Sequence, residues 1–232
     1  MNIVTTHRSP NFSDLVIPVE FVVVHYTACT FERTLEIFMD RGAEASSHLV
    51  IDRDGTVCEL VDCLNGQAKR AWHAGRSRYE ASRGSDRVLV EGFNDRSIGI
   101  ELVNLNGNIF PFAEAQYASL FSILDVLKGL YPNLQSPDSV VGHEQIAGFR
   151  GKCDPGRLFE WERLYSVCYP DQGSPQRRPV CSEMAAERIR NLVGLLGVEC
   201  APVTGEIALP KHLPSKFFGL LNSLCEGAFN RE

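Results

Sequence analysis

His25 closes the run VEFVVVHY, residues 19–26. A histidine where a strand leaves the core reaches into a cleft from a rigid base, which suits a metal ligand. Read alone, a hydrogen-bonded histidine at the core rim is the favoured reading. His143 ends a second apolar run, Val140-Val141-Gly142-His143, and Asp154 follows in Lys152-Cys153-Asp154-Pro155-Gly156. Pro155 and Gly156 demand a turn, which fixes the backbone beside the carboxylate. Two imidazoles and a carboxylate are the ligand set of an open catalytic zinc site, with the fourth position left to water. The compact HExxH arrangement is absent, so these ligands would have to converge from distant segments. Cys153 is an alternative ligand, since thiolate binds zinc well. Neighbours in a chain usually point apart, and Asp154 is the preferred donor.

Glu101 lies in Ile98-Gly99-Ile100-Glu101-Leu102-Val103, an otherwise apolar stretch. A carboxylate there is costly to bury unless paired or used. It could serve as the general base that takes a proton from an activated water. The competing reading is a residue on the open face of an amphipathic strand, which the flanking Gly99 and Val103 do not support. Lys152 sits two residues before Asp154. In extended chain it points the same way, where a cation would stabilise an oxyanion. Its alternative is a solvated surface lysine.

These groups need elements to hold them. Residues 19–26 and 97–104 read as buried strands. Residues 30–40 carry helical spacing with Thr30 as N-cap. Two apolar runs, 48–52 and 57–61, flank Asp54-Gly55 and signal a hairpin. Residues 113–130 form a helix with Tyr117, Leu120, Phe121, Leu124 and Leu127 on one face, ended by Pro132 and Pro137. Residues 158–165 suggest a short helix. Strands alternating with helices, plus a hairpin, predict an α/β fold with a mixed central β-sheet flanked by helices. The composition of YPDQGSPQRRP, residues 169–179, marks a linker or surface loop and a boundary near 170. The expectation is a catalytic domain over 1–170 and a small helical C-terminal extension over 171–232, with helices at 183–196 and 213–224.

The chain has 232 residues, 44% hydrophobic and 22% charged, with a formal net charge of -6. That length suits one domain, or one with a small appendage. A mildly acidic chain lacks the basic surface that non-specific nucleic-acid binding needs. No stretch approaches the roughly 20 apolar residues of a membrane span. Polar residues from Thr5 to Asp14 interrupt the apolar core of roughly 7–15 residues that a secretory leader requires, so a cytoplasmic location is expected. The eight cysteines, Cys29, Cys58, Cys63, Cys153, Cys168, Cys181, Cys200 and Cys225, are irregularly spaced without a CxxC pair, as expected of reduced thiols.

The segments FVVVHYTA, SSHLVIDRDGTVCELVD, AWHAG, NDRSIGIELVN, VVGHEQIA and KCDPG occur in that order. Together they resemble the AmpD-like branch of the zinc-dependent N-acetylmuramoyl-L-alanine amidases, relatives of the phage amidase lysozymes and animal peptidoglycan recognition proteins. The resemblance covers roughly residues 18–166. It implies zinc held by His25, His143 and Asp154, with Glu101 as catalytic acid/base and Lys152 stabilising the transition state. It implies that Trp72, His73, Ala74 and Gly75 line the substrate cleft, with His73 a substrate contact or a support for a ligand. It implies hydrolysis of the amide between N-acetylmuramic acid, or its 1,6-anhydro form, and L-alanine, with peptidoglycan fragments or muropeptides as partners. A cytoplasmic location favours soluble anhydro-muropeptides, as in recycling, whereas a removed leader and a periplasmic location would leave intact wall glycan open. The oligomeric state is left open.

Leu49 departs from the family, which often has an aromatic after the histidine at this position; His48 itself is expected to be structural. Residues 75–92, rich in arginine and serine, are expected to form a loop whose cations contact peptide carboxylates or face solvent. The extension lies outside the resemblance. Wall binding, covering the catalytic domain, a dimer contact and protein binding are all open to it. Two other functions remain alternatives: a non-catalytic peptidoglycan-binding protein, and a zinc peptidase acting on other amide bonds.

Overall fold

The computed structural model describes residues 2–83, 86–175, 183–200, 207, 208 and 210. Strands β1 (Ile3–Val4), β2 (Phe12–Val16) and β3 (Phe21–Tyr26) lead into helix α1 (Phe31–Met39). Strands β4 (Leu49–Ile51), β5 (Val57–Glu59), β6 (Lys69–Ala71), β7 (Arg78–Arg83), β8 (Asp86–Glu91) and β9 (Ser97–Leu102) follow. Then come α2 (Glu114–Leu130), β10 (Val140–Gly142), α3 (His143–Ala147), α4 (Trp161–Cys168), α5 (Glu183–Leu195), β11 (Glu199–Cys200) and β12 (Ile207–Ala208).

The central sheet has the order β1-β5-β4-β9-β3-β10. It is mixed, as expected: β4 and β5 are antiparallel around the Asp54-Gly55 turn, while β3 lies parallel between β9 and β10. The continuous apolar run of β3 reflects burial on both faces. Val22, Val24 and Tyr26 enter the main apolar cluster with Ile98, Ile100 and Leu102 of β9 and with the buried side of α2. Phe21 and Val23 face the other way, among Ala74, Phe93, Val141 and Ile146. Side chains alternate along a strand, so His25 shares the face of Phe21 and Val23, and Glu101 shares that of Ser97 and Gly99.

The helices form where their spacing predicts. Thr30 caps α1, its hydroxyl accepting from Arg33 N at 3.4 Å. Tyr117, Leu120, Ile123, Leu124 and Leu127 of α2 are buried against the sheet. Each fully buried Leu or Ile at this interface contributes roughly 1.5–3 kcal/mol.

Two expectations are corrected. Residues 75–92 are not a loop: β7 and β8 pair antiparallel from Arg78↔Glu91 to Arg83↔Asp86. Ala81 and Val90 fix this hairpin by entering the second cluster, with Tyr79 packed edge-on to Phe21 and Phe93, while β8 is otherwise exposed. So few inward apolar residues leave little alternation to read. The helix expected over 158–165 begins at Trp161, because Leu158 N is drawn to Gly107 O at 2.9 Å.

The described part of the extension forms the expected first helix, and Val193 and Val198 join the main apolar cluster. The helix expected over 213–224 lies outside the described residues. Among the described residues Cys29, Cys58, Cys63, Cys153 and Cys168 are free thiols, and no helix is long and apolar enough to cross a membrane.

Candidate metal centre

Strand register assembles the site. His25 pairs with Glu101 across β3 and β9, and Gly142 pairs with Val24 across β10 and β3, so His143 begins its helix beside His25. Three adjacent parallel strands thus deliver three candidate side chains at their carboxyl ends, where ligand sites of α/β sheets lie. Gln145 steadies the start of α3 by accepting from Gly142 N at 2.7 Å. Asp154 is pinned to the same helix start, its carbonyl accepting from Glu144 N at 2.9 Å.

His25 Nδ1, His143 Nδ1 and Asp154 Oδ2 converge to 3.0–3.1 Å from one another. All three residues are buried, and among the described residues they form the group able to hold a metal ion. Tetrahedral zinc with bonds of about 2.0–2.1 Å places its donors about 3.3 Å apart, so the triangle fits that ion. The two imidazoles present the same ring nitrogen to each other, which calls for a cation or a shared proton between them. Cys153 takes no part: its Sγ lies 3.3 Å from Tyr26 Oη within the main core.

The turn carrying Asp154 rests on a seat that motif reading missed. Asn104 Oδ1 accepts from Asn106 N, and Asn106 Oδ1 accepts from Asn108 N. Asn108 then spans to the turn, donating to Cys153 O at 3.2 Å and accepting from Arg157 N at 3.1 Å. Gly107 packs so closely that a Cβ there would sit 2.0 Å from Pro155 O. The signal was present as three asparagines at alternate positions around a glycine, in Asn104-Leu105-Asn106-Gly107-Asn108. Gly107→Ala is expected to displace the Asp154 turn and weaken zinc binding at least tenfold, as for loss of a partner that orients a ligand. Chelator competition measures it.

Glu101 is 9% exposed, and its Oε2 has no hydrogen-bond partner. Burial pushes its carboxyl up to about 8, the negative Asp154 adding to this and Lys152 opposing it. Glu101 and Lys152 line one cleft of about 220 Å³ with the three converging residues, walled by Thr27, Cys29, Phe38 and Trp72. Burial, reinforced by the charge of His143, pulls His25 down to about 4 against the pull of Asp154. Burial also pushes the Asp154 carboxyl up, but His143 and His25 outweigh it and hold the group well below the usual carboxylate range.

The two kinds of shift act oppositely on stability. In the metal-free fold Glu101 keeps, up to about 8, a proton that the unfolded chain loses near 4.5, so rising pH there destabilises that form. Buried His25 and His48, both near 4 against an ordinary 6.5, make stability rise with pH below about 6.5. Between about 6.5 and 8 the Glu101 effect stands without them. The melting temperature of metal-stripped protein is expected to fall across that interval, and Glu101→Gln to flatten the fall.

The segment from Trp72 to Gly75 divides. Trp72 and His73 line the cleft, and His73 Nδ1 lies 3.1 Å from His25 Nε2. Ala74 and Gly75, expected beside them, are set back. The Ala74 side chain is fully buried in the second cluster, and Gly75 adopts φ 56°, with a Cβ there 3.2 Å from Arg150 Nη2. Asn94, which motif reading passed over, fixes this segment by accepting from His73 N (3.1 Å) and Ala74 N (2.8 Å). His48 has the structural place expected of it. Its Nδ1 accepts from Gly99 N at 3.0 Å, and its Nε2 faces Lys69 O at 2.8 Å. In the hairpin region Arg76 and Arg78 stack over Phe149, away from the cleft lining.

Comparison with known proteins adds independent findings. The family described as N-acetylmuramoyl-L-alanine amidase matches residues 16–157. A 1,6-anhydro-N-acetylmuramyl-L-alanine amidase, AmpD of Haemophilus influenzae, is 39% identical over 121 residues, 52% of this chain and 57% of the relative. AmpD of Escherichia coli is 38% identical over 119 residues, 51% of this chain and 56% of its own length. The chain thus spans little more than half the length of these curated relatives. Among solved structures, AmiD of E. coli, in complex with anhydro-N-acetylmuramic acid-L-Ala-D-gamma-Glu-L-Lys, is 28% identical with a TM-score of 0.54. That match covers 67% of this chain and 59% of AmiD. AmpDh3 of Pseudomonas aeruginosa, in complex with anhydromuramic pentapeptide, is 26% identical with a TM-score of 0.54, covering 97% and 88%.

Proposed function

The chain belongs to the N-acetylmuramoyl-L-alanine amidase family, and from that membership we propose that it hydrolyses the amide between N-acetylmuramic acid, or its 1,6-anhydro form, and L-alanine in muropeptides, with zinc held by His25, His143 and Asp154. The observation that carries this reading is the convergence of His25 Nδ1, His143 Nδ1 and Asp154 Oδ2 beside a buried, unpartnered Glu101 oxygen. A bound zinc would supply Lewis-acid polarisation and a water of lowered pKa. Glu101 takes the proton of the attacking water as its oxygen bonds to the lactyl carbonyl carbon. It then returns that proton to the nitrogen of L-alanine as the carbon–nitrogen bond breaks. Lys152, on the same cleft, offsets the negative charge that gathers on the carbonyl oxygen. Trp72 supplies an apolar wall for the sugar or peptide.

The test is release of the stem peptide from purified muropeptides, with and without the 1,6-anhydro ring, followed by mass spectrometry. Cleavage between muramic acid and L-alanine that disappears on chelation and returns with zinc establishes the activity. Muropeptide that binds zinc-loaded protein yet stays intact replaces it with a peptidoglycan-binding role.

A further inference from the structure

Hydrogen bonding around His73 decides which nitrogen of each ring carries a proton. Ser97 uses its hydroxyl hydrogen on Phe93 O at 2.5 Å, so its Oγ offers only lone pairs elsewhere. His73 Nε2 faces that Oγ and the carbonyl oxygen of Ser97, both at 3.3 Å. Two acceptors opposite one ring nitrogen require that nitrogen to bear hydrogen, so His73 Nδ1 is left as the acceptor. It faces His25 Nε2 at 3.1 Å, and that contact is a hydrogen bond only if His25 donates from Nε2. His25 then has a bare lone pair on Nδ1, the atom aimed at His143 Nδ1 and Asp154 Oδ2.

The surroundings hold the ring in this role. Asn94 fixes the His73 backbone. A Cβ on Gly99 would lie 2.5 Å from His73 Cγ and 2.7 Å from His73 Nδ1, so the strand beneath the ring must carry glycine there. Gly99 is bound on both sides, donating to His48 Nδ1 and accepting from Ser47 Oγ, and cannot easily retreat.

We propose that His73 is a positioning residue for the metal centre: through the relay Ser97–His73–His25 it locks His25 in the tautomer whose Nδ1 is free to ligate. The relay supplies the outer partner that metal-binding histidines usually find in a carboxylate, a backbone carbonyl or water. It rests on the reading of His25, His143 and Asp154 as ligands.

The test uses the full chain and reads zinc directly. Competition with a chromogenic chelator gives zinc affinity for wild type, His73→Leu, His73→Asn and Gly99→Ala. ¹⁵N NMR of zinc-loaded wild type reports the imidazole tautomers. His73→Leu is expected to weaken zinc about 10–100-fold. His73→Asn keeps an acceptor near the Nδ1 position and is expected to recover most of that loss, which a purely structural role would not produce. Gly99→Ala is expected to behave like His73→Leu. The NMR spectra are expected to show His25 and His73 each protonated at Nε2. A His73→Leu affinity within twofold of wild type overturns the proposal, as does a proton on Nδ1 of either ring, which needs no variant to fold. Wild type that binds no zinc sinks the ligand reading beneath it instead, and the relay with it.

Discussion

Glu101→Gln is expected to slow amide hydrolysis by about 10²–10⁴-fold while leaving zinc affinity within a few-fold of wild type. The substitution keeps the shape and hydrogen-bonding reach of the side chain and removes only its ability to take and return a proton. Glu101 stands outside the converging triangle, so no ligand is lost. Its Oε2 has no partner to strand, so the packing cost is small. Stability moves the other way: a buried carboxylate whose charged form is penalised by desolvation gives way to a neutral amide. Slower turnover, an unchanged zinc content and an equal or higher melting temperature near pH 8 together identify proton transfer as the lost function. Turnover reduced less than tenfold removes Glu101 from the chemistry.

Asp154→Ala is expected to act first on the metal and through it on everything else. Asp154 would supply the anionic donor, its Oδ2 lying 3.0 Å from the Nδ1 of both His25 and His143. Without it, two neutral imidazoles would hold the ion, and zinc affinity should fall by more than the about 10–100-fold assigned to a supporting residue. A ligand at a hundred times its dissociation constant stabilises the folded state by about 2.7 kcal/mol. The rise in melting temperature that zinc gives wild type should therefore vanish in the variant, and hydrolysis should fall to background. Calorimetry with and without zinc separates this outcome from misfolding, because a folded variant still melts cooperatively. An undiminished zinc-induced shift would show that Asp154 is not a ligand.

The two variants probe different kinds of legibility. Glu101 stood out by local contrast, a carboxylate inside an apolar strand, and desolvation makes such contrast visible in one dimension. His25 and His143 stood out less, because an imidazole at a strand end serves packing as readily as metal binding. Their joint meaning lies in the register of β3, β9 and β10, where His25 sits against Glu101 and beside the start of α3. The buried strands, the two long helices and the Asp-Gly hairpin were readable because hydrophobic periodicity and turn chemistry are local. The β7–β8 hairpin was not, since Tyr79, Ala81 and Val90 alone among its described side chains pack inward and β8 is otherwise exposed.

The amino-acid sequence by itself determined the chemical inventory of this protein: donors for a metal, one misfit carboxylate, one cation beside the turn, and strands and helices able to carry them. Tertiary structure alone decided which of these meet. It turned Cys153 into the core and Asp154 toward the histidines, set Ala74 back while bringing His73 against His25, and seated the Asp154 turn on Asn108 and Gly107. The physical reason is range. Propensity and burial preference act over a few residues, whereas ligation and proton placement depend on contacts of about 3 Å between segments that only the packed sheet brings together.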